Sequence, residues 1–125
     1  MATTVAREWA DGRADSVAVD FGTMLVGRFP VIGSVEPSMV TQEIRVELNW
    51  SFSRPIASEN RGRYFMTATA SARPKINAPG LPPKAYDISA KYELTVDTQR
   101  GRVVGYQMAM DGLIIEDRSA FLGAE

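Results

Sequence analysis

EIRVELNWSFS, residues 43–53, alternates apolar and polar side chains along its whole length. Ile44, Val46, Leu48, Trp50 and Phe52 fall on one side, and Arg45, Glu47, Asn49 and Ser51 on the other. A period of two is the mark of a strand with one buried face. Read as a strand over 43–53, the stretch opens a sheet, and the chain beyond it supplies partners.

RYFMTATASAR, 63–73, places Tyr64, Met66, Ala68, Ala70 and Ala72 on one face. DISAKYELTVD, 87–97, does the same with Ile88, Ala90, Tyr92, Leu94 and Val96. RVVGYQMAM, 102–110, running on toward 115, has Val104, Tyr106, Met108 and Met110 as its inner row. LIIED, 113–117, breaks the alternation, which predicts a bulge or a second buried contact near Gly112. Four long strands in succession predict an antiparallel meander. TQRG, 98–101, is a short turn with Gly101 at a left-handed position. RPIASENRG, 54–62, carries turn residues throughout.

Before residue 43 the pattern is mixed. Val5, Ala6, Trp9 and Ala10 make a helical face, and Ala14, Val17, Ala18, Phe21, Met24 and Leu25 continue it. Asp11-Gly12 is a turn signal, however, and Val17, Val19 and Phe21 also alternate like a strand. Helix is favoured, with strand over 14–26 left open. RFPVIGSVEP, 28–37, reads as an irregular crossover. The alanine row at 68, 70 and 72 leaves room for a helix to approach the sheet, with Trp9 and Phe21 as fillers. The expected fold is one α+β domain. An N-terminal helical segment, 1–42, packs on a curved four-stranded antiparallel β-meander, 43–118. This architecture resembles cystatin-like and nuclear transport factor 2-like folds. The cystatin inhibitory pattern Q-x-V-x-G is absent, since the first hairpin reads SRPIASENRGR.

Composition narrows the chemistry. The 125 residues are 45% hydrophobic and 23% charged, with net charge −1, which argues against a protein that grips nucleic acid by its phosphates. There is no cysteine and no histidine. That removes disulfides, the usual zinc sites and the Cys-His and Ser-His nucleophile pairs, and no cofactor or metal is expected. No run reaches the roughly 18 apolar residues of a membrane span, and MATTVAREW has no signal-peptide pattern. The compartment is read as cytoplasmic by default, or periplasmic or extracellular if the chain is a domain of a longer protein.

Three groups of residues are candidates for function. KINAPGLPPKAYDI, 75–88, holds a P-x-x-P-x-K spacing but is tied to strands at both ends, so it reads better as a stiff connection than as a docking peptide. Leu81, Pro82, Pro83 and Tyr86 are its contact residues, closing over the core or facing a partner. Alternate turns of a meander share one end of the sheet. Arg54, Arg61 and Arg63 should therefore meet Arg100 and Arg102 there, making a cationic end suited to an acidic protein surface, anionic headgroups or a phosphate-bearing ligand. Tyr64, Tyr92, Tyr106 and Met108 could line an apolar pocket, with Asp111 or Asp87 as base. Core packing is the plainer reading of that row.

The expectation is a non-enzymatic protein–protein interaction module. It would be a small subunit or soluble domain of an assembly such as a secretion or conjugation machine, binding a protein partner or itself. Phe65, Val103 and Ala109, apolar on the outward face, support this. The alternative is a small-molecule-binding or isomerase-like protein using the tyrosine–methionine row.

Overall fold

Among the described residues three helices precede the sheet and cover one of its faces. In this computed structural model, backbone is described for residues 1–28, 35–76 and 84–116, and side chains for 1–28, 35–75 and 86–109. Helix α1 (Ala2–Asp11) buries Ala2, Val5, Ala6 and Ala10. The chain then turns at Gly12 and Arg13, whose N–H groups donate back to Glu8 and Ala10 carbonyls at 3.1 and 3.0 Å. Helix α2 (Ala14–Arg28) buries Ala14, Val17, Ala18, Phe21, Gly22 and Leu25. Those spacings of three and four decide for helix over strand, and Val19, which alternation would bury, is 52% exposed.

Helix α3 (Pro37–Glu47) overturns part of the expected strand. Residues 43–47 are helical, and only β1 (Asn49–Phe52) remains extended. Two periods coincide here. Ile44 stands four residues after Val40, and both are buried, while Val46 is 72% exposed. Pro37 occupies the first turn, where its missing N–H costs nothing. Leu48 leaves the helix with extended angles (φ −68°, ψ 125°) and starts the strand. Within the expected crossover, 29–34 lie outside the described residues.

The sheet has four antiparallel ribbons. The first is β1 and β2 (Ile56–Ala57), both paired to β3 (Arg63–Ala72). Between them the Ser53 N–H donates to the Thr67 carbonyl at 2.9 Å and its hydroxyl accepts from the Thr67 N–H at 2.7 Å. The second ribbon is β3, prolonged beyond Pro74 by β4 (Lys75–Ile76). Both pair with the same edge of β5 (Lys84–Asp97), in one continuous register from Arg63↔Asp97 to Ile76↔Lys84. β6 (Arg102–Glu116) pairs with the other edge of β5.

Two bulges interrupt the β5–β6 ladder. One leaves Asp111 unmatched between Ser89↔Gly112 and Ala90↔Met110, beside the expected Gly112. The other leaves Val104 unmatched between Thr95↔Gly105 and Val96↔Val103. It corrects the expected faces: Val103, not Val104, stands opposite buried Val96 and packs on the core. Val103 is therefore not an outward residue, whereas Phe65 is, at 50% exposure.

The core lies between the helices and the inner face. Phe21, Leu25, Ile44, Ile88 and Leu94 are fully buried over a floor of Ala68, Ala70 and Ala90. Each large side chain so buried is worth ~1.5–3 kcal/mol. Among the described residues no helix is long and apolar enough to cross a membrane.

Candidate functional site

The hairpin turns of β2–β3 and β5–β6 meet at one end of the sheet. The Gly62 carbonyl accepts from both the N–H and the hydroxyl of Thr98, each at 2.8 Å. Gly62 has φ +82°, and a Cβ there would stand 2.9 Å from the Gln99 side chain, so glycine is required for both reasons. In the second turn, the Gln99 and Arg100 N–H groups donate to Asp97 Oδ1, each at 3.0 Å. The chain reverses with Gly101 at φ +67°.

Asp97 is the charged centre of this end. It is 6% exposed. Arg63 Nε lies 3.5 Å and Arg100 Nε 3.8 Å from its Oδ2. The Arg100 N–H holds its carboxyl below the usual carboxylate range, assisted by the Gln99 N–H and the Arg63 and Arg100 guanidiniums, with burial opposing. Two of the expected arginines are thus engaged by one carboxylate. Arg61 and Arg102 are exposed and make no ion pair among the described residues. Arg54 stands apart from them, down the edge between the levels of Thr67 and Phe65.

Below this rim, the uncovered sheet face carries a depression of about 610 Å³. Phe65, Ile56, Thr67, Thr95, Gly105 and Gln107 are among its lining residues, together with one carboxylate, Glu93. Ile56 is 65% exposed, and no heavy atom stands within 4 Å of a Cβ placed on Gly105. A second groove, of about 750 Å³, runs between α2 and α3, which approach closely where Gly22 faces Thr41.

Of the residues of the expected pocket, Tyr92 and Tyr106 belong to a packed aromatic cluster, and Tyr106 also lines the 610 Å³ depression. Tyr92 is buried, with its ring centroid 5.4 Å from Trp9, 5.6 Å from Trp50 and 6.1 Å from Tyr106. Burial pushes its hydroxyl above the usual phenol value, reinforced by Asp20 and Tyr106 and opposed by Arg13. Tyr106 accepts a hydrogen bond from Arg13 at 2.8 Å, and the same guanidinium lies over both Tyr106 and Trp9, 4.6 and 5.1 Å from their centroids. Met108 is half-exposed opposite Tyr92. Tyr64 lies further along, opposite Val96. The buried Trp50 indole N–H has no hydrogen-bond partner among the described residues.

The Asp111 side chain lies outside the described residues, and Asp87 lies 3.6 Å from Arg73. Of the 75–88 loop, Leu81, Pro82 and Pro83 lie outside the described residues, whereas Tyr86 is buried in the core. Arg13 is not among the residues that the sequence pattern singles out. Its one signal was position, just past the turn that ends the helix carrying Trp9. Among the described residues no group of three acidic side chains is placed to hold a metal ion.

Comparison with protein-family models, with curated proteins and with solved structures returned no match.

Proposed function

We propose that this chain is a non-catalytic protein–protein interaction module, a small subunit or soluble domain of a larger assembly. It binds through the uncovered sheet face at its hairpin end. The partner is an acidic protein segment with apolar side chains. Apolar residues seat beside Phe65 and Ile56, and carboxylates reach Arg61 and Arg102 on the rim. The observation carrying this reading is the 610 Å³ depression with half-exposed Phe65 in its lining, beside a rim where two arginines are left without ion pairs among the described residues. Opposite charge steers and orients such a partner, and a desolvated aromatic anchors it. The nuclear transport factor 2-like arrangement expected from the sequence belongs to this proposal, since helices preceding a bent meander leave one sheet face for contacts.

The pocket alternative has less support. The Tyr92 ring is packed against Trp9 and Trp50, and the Tyr106 hydroxyl is already engaged by Arg13.

The test is an amide-resolved NMR titration with a short peptide alternating glutamate and leucine, with a lysine–leucine peptide as control. The glutamate peptide should shift the amides of Ile56, Phe65, Thr95 and Gly105. Its affinity should fall about tenfold in Arg61→Glu/Arg102→Glu, and also with added salt. Shifts elsewhere, or equal shifts with the lysine peptide, would overturn the assignment.

A further inference from the structure

β6 is the outermost ribbon, and among the described residues its far edge has no strand partner. Natural edges are guarded by charge, proline, bulges or brevity. Here the two bulges stand at Val104 and Asp111, leaving 105–110 as a regular ladder between them. That interval, GYQMAM, has neither charge nor proline. α1 covers this strand only in part: Trp9 and Arg13 pack on Tyr106, yet Tyr106 and Met108, both on the inner face, are 44% and 48% exposed.

We propose that two copies of this chain pair antiparallel through the free edge of β6, about a two-fold axis at Gln107. The side-chain period requires residues facing each other across the axis to share a face, so the position numbers of each pair sum to an even value. With Gln107 on the axis, Tyr106 of each copy stands opposite Met108 of the other, joining the two half-exposed apolar positions in a favourable sulfur–aromatic pair. Gly105 then faces Ala109, with no bulk to collide. The strand's ends are oppositely charged, with Arg102 at one and Asp111 and Glu116 at the other. Antiparallel pairing brings unlike ends together, whereas parallel pairing would stack like charges. A second copy therefore supplies the backbone hydrogen bonds, the apolar match and the charge match at once. The two uncovered faces would join into one sheet surface. Gln107 and Gly105 also line the depression, so the tests below read self-association, which fails or holds separately from peptide binding.

The chain lacks cysteine, which makes single-cysteine trapping clean. Wild-type protein should scatter light at twice the 13.7 kDa chain mass. Gln107→Lys sets two ammonium groups face to face on the axis and should raise the dissociation constant at least about tenfold, with an unchanged circular dichroism spectrum. Gln107→Cys should form a dimer disulfide under mild oxidation. Ala109→Cys should not, because its two copies lie roughly 13 Å apart along the strands. Single-chain mass at every concentration would overturn the proposal. So would a dimer that ignores Gln107→Lys, or one that Ala109→Cys traps as readily as Gln107→Cys.

Discussion

Replacing Ile44 and Val46 separately with alanine decides whether 43–47 is helix or strand. In a strand, both side chains would point into the core and both truncations would hurt. In the helix, Ile44 is fully buried and Val46 is 72% exposed. Ile44→Ala removes buried methyls between α3 and the sheet and should cost ~2–5 kcal/mol. Val46→Ala loses little burial, because about a quarter of the side chain is covered. It gains roughly 0.5 kcal/mol of helix propensity, so the net change should lie within about 0.5 kcal/mol of zero. Urea denaturation followed by circular dichroism measures both, and an unchanged slope would show that the exposed surface on unfolding is the same. The two midpoints should therefore separate clearly, with Ile44→Ala low and Val46→Ala at wild type. If Val46→Ala loses as much stability as Ile44→Ala, the helix is wrong and the alternation was a strand after all.

The junction of the two turns offers two more tests. Gly62→Ala should destabilise by at least ~1–2 kcal/mol in the same urea assay, because φ +82° is strained for any side chain and the new methyl meets Gln99. Asp97→Asn should lower the melting temperature at neutral pH. Because the folded-state pKa of Asp97 lies below its ordinary value of 3.8, its contribution is fully present above that value. It is lost as pH falls through the lowered one. The melting-temperature gap between wild type and Asp97→Asn should close in acid, and a gap that widens there would contradict the sign.

The parts of this fold visible in the sequence are those where one period operates alone. RYFMTATASA and the segment from Ile88 to Val96 alternate throughout, with a polar residue three positions after every inward one, and both are strands with the expected faces inward. Trp9 and Phe21 could be placed over the alanine row because small residues on a buried face imply a large neighbour. The reading failed at 43–47, where Val40, Ile44 and Leu48 satisfy a four-residue repeat while Ile44, Val46 and Leu48 satisfy a two-residue one. Local pattern cannot separate these, and the choice falls to tertiary partners: the buried seat of Ile44 and the ion pair of Arg45 with Asp15 at 2.9 Å. It failed again at Val103, because a bulge shifts parity without leaving a mark in composition. At the hairpin end, topology alone brought the two turns together, but it could not say which arginines would be engaged. That depends on Asp97, whose carboxylate takes two turn N–H groups as well as Arg63 and Arg100. A carboxylate committed to closing its own turn is fixed in place, so it holds Arg63 and Arg100 beside it, while among the described residues Arg61 and Arg102 are exposed and make no ion pair.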